Sequence, residues 1–360
     1  MITATKPFSP PLEDYQLKIA QIFEKNWFTN HGPFVTELEL KLKEFFDVPY
    51  LVVVSNGTIA LQISIKALEL NNDEIITTPY SYVATTNSIL WENCKPVFVD
   101  IDEDTFNIDP SKIEAKINSK TKAILATHVY GYPCAINRIE EIANRYNLKV
   151  IYDAAHCFNT SFNNKSILNF GDISTISFHS TKLFHTIEGG AIVCKEKKIY
   201  DKIMQLRNFG HTSTYTFGSA GINGKMNEFC GAMGLTNFNY ISEITTKRKE
   251  QWLFYFKECQ INKIRTVNYS FENIEFNYAY FVVLLENEDQ VEILLKKMEE
   301  NNIYLRRYFY PSLNQLPYLK KTDKCNLSEK LTKRVVSLPL YHTLTVEQQK
   351  LIISILKTNL

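Results

Sequence analysis

The sequence predicts an α/β fold in which one large, mainly parallel sheet carries helices on its faces and a smaller C-terminal α+β unit follows. Three observations carry this. Between about residues 50 and 195, short β-branched runs alternate with segments of helix length, the pattern of strands joined by crossover helices. The 360 residues are 45% hydrophobic, enough to fill a sizeable core. After Gly234, the last glycine of the chain, the texture shifts to long charged segments around an apolar run.

Taken in order, strands are expected at 51–54, 74–78, 96–101, 123–128, 149–152, 173–178 and 191–194, each a short apolar stretch. Helices fit between them at 58–70, 82–93, 110–117 and 136–146. The last of these sets Ile136, Ile139, Ile142 and Ala143 on one face of a 3.6-residue period. Downstream, 241–259 reads as a long charged helix, 278–285 as a strand and 289–301 as a helix. The simplest division is a large domain over 1–245 and a small one over 246–360. Two basic clusters in the second part, Lys247-Arg248-Lys249 and Arg306-Arg307, have the charge to meet a diphosphate, although charges on solvated helices are commoner.

Composition removes several classes of function. Forty basic and 39 acidic residues leave a formal charge of +1, far from the broad positive field that holds nucleic acid. No apolar run approaches the roughly 18 to 20 residues of a membrane helix. The first 15 residues carry no apolar stretch of the secretory kind, and the seven cysteines form no CxxC pair. A reducing cytoplasm is the expected setting. The seven histidines show no HxH or HxxxH spacing, so no metal is expected. Glycine is scarce and clustered: nine of the twelve lie between Gly171 and Gly234.

That window holds the candidate chemistry. Lys182 follows the sixth strand in Ser177-Phe178-His179-Ser180-Thr181-Lys182 and precedes Glu188-Gly189-Gly190, a plausible turn for a buried amine. Asp153 ends the fifth strand, so both fall beyond the carboxyl edge of the sheet, where open α/β folds bind ligands. A lysine for a Schiff base and an acid beside a ring nitrogen are what pyridoxal 5′-phosphate requires. Taken alone, Asp153 also reads as a helix cap. Ser55-Asn56-Gly57-Thr58 opens the first crossover helix, where Gly57 permits close approach and the Thr58 hydroxyl can donate to a phosphate. The same four residues also suit ordinary capping. Tyr82, in Pro79-Tyr80-Ser81-Tyr82-Val83-Ala84-Thr85, is the candidate to stack on a ring.

Together these segments resemble the DegT/DnrJ/EryC1/StrS sugar aminotransferases. The likeness continues through 27–33, 97–100, His128-Val129-Tyr130-Gly131, Asp153-Ala154-Ala155-His156, Gly221-Ile222-Asn223-Gly224-Lys225-Met226 and Leu338-Pro339-Leu340-Tyr341, nearly the whole chain. The resemblance implies the aspartate-aminotransferase-like fold, type I of the pyridoxal phosphate enzymes. It implies that Lys182 bonds the cofactor, that Asp153 meets the pyridine nitrogen, and that Gly57, Thr58 and Ser177 hold the phosphate. His156 stands where the family often has glutamine near the ring hydroxyl. Asn223 matches a residue that reaches the phosphate from the other subunit, which implies an obligate homodimer with shared active sites.

Tyr130, His185 and Lys225 are expected on the substrate side. Two of them mark departures: Lys225 stands where many relatives have arginine, and Phe184-His185-Thr186-Ile187 replaces a glycine-containing approach to the glycine pair. A branch of the family that dehydrates its substrate has histidine in place of the lysine, so Lys182 favours transamination. The implied reaction moves the amino group of L-glutamate to a nucleotide-linked keto-sugar. The likeness is greatest to members that aminate dTDP-4-keto-6-deoxy-D-glucose to dTDP-4-amino-4,6-dideoxy-D-glucose for surface polysaccharide such as O-antigen. Amination at C3 of a 3-keto-6-deoxyhexose is the runner-up, and a non-catalytic cofactor-binding regulator is a remote third.

Overall fold

The apolar runs pair into a seven-stranded sheet in the computed structural model, which describes residues 1–320 and 322–359. Its strands are β1 (Tyr50–Val54), β2 (Glu74–Thr77), β3 (Lys95–Phe98), β4 (Thr121–Thr127), β5 (Lys149–Asp153), β6 (Ile173–Ser177) and β7 (Gly190–Cys194). Their spatial order is β1-β7-β6-β5-β4-β2-β3. All neighbours are parallel except β7, which lies antiparallel to both β1 and β6. Strands covered on both faces should be apolar throughout, and Leu51, Val52, Val53 and Val54 are each at most 3% exposed.

Eleven α-helices accompany the sheets among the described residues: α1 (Leu12–Lys25), α2 (Pro33–Phe45), α3 (Gly57–Ala67), α4 (Val83–Trp91), α5 (Ile136–Tyr146), α6 (Lys197–Arg207), α7 (Glu228–Phe238), α8 (Ile241–Ile261), α9 (Glu288–Glu300), α10 (Asn326–Leu331) and α11 (Val346–Thr358). Helix α3 starts sharply because the Asn56 side chain accepts the Ile59 N–H at 2.9 Å. In α5 the expected face is the buried one, with Ile136, Ile139, Ile142 and Ala143 inside.

The helix expected over 110–117 is instead two short 3₁₀ turns, Pro110–Lys112 and Glu114–Lys116. Eight residues make a marginal α-helix, and here Ile113 alone is fully buried, so little packing offsets the cost of a nucleus.

A second, smaller sheet runs β8 (Arg265–Thr266), β9 (Phe281–Leu284) and β10 (Val335–Leu338), in that order and antiparallel. Trp252, Tyr255, Phe281, Leu294, Met298, Val336 and Ile352 centre the apolar cluster against it. Helix α8 passes through residue 245 unbroken. The chain start also joins this part, since Ile2–Thr3 pairs parallel with Ile303–Tyr304. No described helix is long and apolar enough to cross a membrane.

The register decides where the chemistry gathers. Gly190 opens β7 opposite both Val54 at the end of β1 and Ser177 at the end of β6. This sets the turn after Val54 beside the turn after Ser177. One strand further on, Asp153 at the end of β5 faces Thr175 of β6.

Candidate active site

Beyond these strand ends lies a cleft of about 370 Å³, the size range of a small-molecule site. Seven of the expected site residues line it together: Gly57, Thr58, Tyr82, Asp153, His156, Ser177 and Lys182.

Asp153 is 5% exposed. Its Oδ2 accepts from the Thr85 hydroxyl at 2.7 Å and its Oδ1 from the Ala155 N–H at 3.1 Å. Behind Thr85 a chain of hydroxyls continues, Ser81 Oγ at 2.7 Å from Thr85 Oγ1 and Thr127 Oγ1 donating to Ser81 at 3.0 Å. Burial pushes the Asp153 carboxyl above its ordinary value, while Thr85, Ala155 and the charge of Lys182 pull it down. Lys182 shows the converse: burial lowers its amine below the ordinary lysine value, and Asp153 opposes that. Its Nζ lies 3.4 Å from the Tyr280 hydroxyl.

His156 closes the cleft floor, its ring 4.5 Å from that of Tyr280 and stacked at 5.7 Å on Phe309. Its Nδ1 accepts the Tyr130 N–H at 3.2 Å, which leaves Nε2 to carry the proton and donate. Burial holds the imidazole well below its usual pKa, hence neutral. Tyr82 lines the cleft and is 60% exposed.

At the start of α3 the Ile59 N–H is taken by Asn56 Oδ1 and the Ala60 N–H by Asn56 O. The N–H groups of Gly57 and Thr58 have no partner among the described residues, and a Cβ on Gly57 would come within 3.0 Å of Ser177 Cβ. A helix N-terminus with free donors and no side chain in the way is an anion cradle. Cradle, buried amine, buried carboxylate and neutral imidazole together fit pyridoxal phosphate.

The other four expected residues lie elsewhere. Tyr130 is fully buried behind His156 and bonds the Tyr80 hydroxyl and the Tyr308 carbonyl. His185, expected to line a sugar pocket, is outside the cleft. Phe184 stacks on Phe158 at 4.4 Å and against Phe178, which turns His185 under the N-terminal segment, where Nε2 donates to the Phe8 carbonyl at 2.7 Å. Asn223 and Lys225 sit on a separate loop, Asn223 exposed and Lys225 donating to Asn208 at 3.0 Å. That loop is tied to the cradle: the Gly224 carbonyl accepts from the Ser55 N–H at 2.8 Å. It also crosses tightly, since a Cβ on Gly221 would stand 2.3 Å from the nitrogen of Gly210, itself at φ +82°.

Thr85, Tyr280 and Arg306 also belong to this neighbourhood, with Tyr280 and Arg306 in the lining itself. The sequence marks one of the three: Arg306 belongs to the Arg306-Arg307 pair of basic residues.

The DegT/DnrJ/EryC1/StrS aminotransferase family model matches residues 12–357. The chain belongs to this family. It is 40% identical to the dTDP-4-amino-4,6-dideoxy-D-glucose transaminase of Shigella dysenteriae, across 99% of this chain and 98% of the relative. The Escherichia coli transaminase of the same name is 38% identical across 96% and 95%. Among solved structures, DesI in the presence of its TDP-sugar product superposes with a TM-score of 0.93 at 26% identity, covering 99% of this chain and 92% of that one. NtdA of Bacillus subtilis, with bound cofactor PMP, gives 0.88 at 29% identity, covering 97% and 81%. The protein is therefore an aminotransferase of type I fold in a pyridoxal phosphate-dependent family.

Proposed function

We propose that this aminotransferase moves the amino group of L-glutamate to C4 of dTDP-4-keto-6-deoxy-D-glucose, yielding dTDP-4-amino-4,6-dideoxy-D-glucose for surface polysaccharide such as O-antigen. The observation that carries the chemistry is the convergence of Lys182, Asp153, His156 and the Gly57–Thr58 cradle on one cleft. The sugar and the carbon rest on the two transaminases at 40% and 38% identity.

In this reading Gly57, Thr58 and Ser177 would hold the cofactor phosphate, Asp153 would pair with the ring nitrogen, His156 would offer its Nε2 proton to the ring hydroxyl and Tyr82 would cover the ring. When bound, pyridoxal 5′-phosphate supplies a carbonyl for amine exchange and a ring that accepts the electrons left at the donor's Cα. Lys182 would anchor the cofactor, and its freed Nζ would take the Cα proton of glutamate in the first half and deliver a proton to C4 of the sugar in the second. A lowered amine pKa raises the fraction of Lys182 able to accept. The buried Asp153 carboxylate fixes a negative charge where positive charge must persist, in a place shielded from water.

Asn223 would act in the partner's site of a homodimer, and the exposed aromatics beside it support a surface made for a second chain: Phe209, Tyr215 and Phe217 are 48%, 88% and 64% exposed. Lys225 belongs to the same loop. Tyr130 acts through His156. The division into a cofactor-binding part, 1–245, and a small part, 246–360, belongs to the proposal. So does a cytoplasmic setting, supported by seven buried, unpaired cysteines.

The test is incubation with cofactor, L-glutamate and either dTDP-4-keto- or dTDP-3-keto-6-deoxyglucose, with the aminated carbon identified by NMR. Amine at C4 is expected. Amine at C3, or none with either sugar, overturns the proposal.

A further inference from the structure

The cleft lining holds two carboxylates, Asp153 and Glu188, and the proposed chemistry uses only the first. The backbone around Glu188 is held in place on both sides. The Thr186 hydroxyl donates to the Glu188 carbonyl at 2.8 Å, and the Phe178 N–H donates to the Gly189 carbonyl at 2.8 Å. Holding it there strains the chain: Ile187, immediately before, has φ at +69°, a left-handed conformation that a β-branched residue rarely adopts. Strain of this kind collects where a fold presents a functional group.

Glu188 is braced from one direction. His179 Nε2, also of the lining, lies 3.5 Å from Glu188 Oε1. The His179 Nδ1 accepts the Thr181 N–H at 3.2 Å, so the ring proton belongs on Nε2, toward Glu188. The same turn carries the reacting amine, since the Lys182 N–H donates to the His179 carbonyl at 2.9 Å. The Glu188 side chain is otherwise open, 57% exposed, and its Oε2 has no hydrogen-bond partner among the described residues.

The two halves of the proposed reaction, on which this inference rests, make different demands on such a group. L-Glutamate brings two carboxylates, which a fixed carboxylate repels, and its amine goes to the cofactor. The keto-sugar brings hydroxyls at C2 and C3, the latter beside the reacting C4. A carboxylate accepts O–H donors at both oxygens, and these charged bonds are stronger than neutral ones. We propose that Glu188, oriented by His179, is the sugar-recognition residue of this cleft, accepting from the ring hydroxyls next to the reacting carbon and serving the sugar half of the cycle alone.

The experiment titrates enzyme loaded with pyridoxamine 5′-phosphate by calorimetry, with dTDP and with dTDP-6-deoxy-D-glucose, which has the sugar hydroxyls and no keto group to react. In parallel, enzyme loaded with pyridoxal 5′-phosphate is mixed with L-glutamate and the cofactor absorbance followed. Glu188→Gln should weaken the sugar nucleotide roughly tenfold to a hundredfold, the scale of a charged hydrogen bond, and leave dTDP affinity and the glutamate half-reaction as in wild type. His179→Ala, which leaves the carboxylate and removes its brace, should weaken the sugar nucleotide by less and spare the other two readouts. Glu188→Gln that binds the sugar nucleotide as tightly as wild type overturns the assignment. So does a loss shared equally by dTDP or by the glutamate half-reaction, which would make Glu188 a structural brace. Wild-type enzyme that turns over glutamate and binds neither nucleotide overturns the substrate reading beneath, which is a distinct result.

Discussion

The Tyr280 hydroxyl stands 3.4 Å from Lys182 Nζ, across the seam between the carboxyl edge of the seven-stranded sheet and the three-stranded sheet. Tyr280 immediately precedes β9, and its carbonyl accepts the Trp252 indole N–H at 3.0 Å. The small sheet therefore reaches into the cleft and touches Lys182, the residue proposed to carry the chemistry.

Tyr280→Phe keeps the ring against His156 and deletes that contact. The turnover number should fall roughly three- to tenfold, the worth of one neutral hydrogen bond, with KM for glutamate unchanged. Steady-state kinetics decide it: a change in KM alone would mean that the hydroxyl serves binding rather than Lys182.

Thr85→Val removes the hydroxyl donated to Asp153 at 2.7 Å. That bond lowers the Asp153 pKa against the upward push of burial, so its loss raises the pKa further. The acid limb of the pH–rate profile should move to higher pH, and the cofactor should bind roughly tenfold more weakly. An unmoved acid limb would show that the threonine does not tune Asp153.

Much of this site is legible in the sequence because it lies at strand ends. Lys182, Asp153 and Gly57-Thr58 each follow an apolar run, and the sheet rule then brings them to one edge. His185 misleads for the opposite reason: its position depends on Phe184 turning inward onto Phe158 and Phe178, a packing choice that no local pattern carries. Tyr280 lies 98 residues from Lys182 along the chain, in a run that reads as ordinary strand, so only tertiary folding reveals the contact. Arg306 and Arg307 look alike as a pair of charges, and the structure separates them because Glu288 is in reach of Arg307 alone. The two turns over 110–117 fail as a helix for want of buried surface, which composition does not report.

Stability should carry the mark of the buried amine. The folded pKa of Lys182 lies below its ordinary value of 10.5, so its stabilising contribution is complete above that pH and is lost as pH falls through the lowered folded value. Cofactor-free Lys182→Met protein should therefore melt above cofactor-free wild type at pH 7, with the gap narrowing as the pH rises toward 10.5. Thermal unfolding across pH measures it, and a gap independent of pH would mean that packing, not charge, is responsible.

The proposed sharing of sites between subunits makes a prediction about mixtures. Lys182→Ala and Asn223→Ala proteins should each be inactive, and after subunit exchange an equal mixture should regain up to about a quarter of wild-type activity, because one site of each mixed dimer is intact. Verified exchange without recovery would place Asn223 in its own subunit's site or in none.

The central claim is that Lys182 holds the cofactor in the cleft formed by the ends of β1, β5 and β6. Its most direct test is borohydride reduction of the enzyme loaded with pyridoxal 5′-phosphate, followed by peptide mass spectrometry. The pyridoxyl group should be found on Lys182 and be absent from this peptide in Lys182→Ala protein. Stoichiometric modification of another lysine, or none at all, would contradict the account.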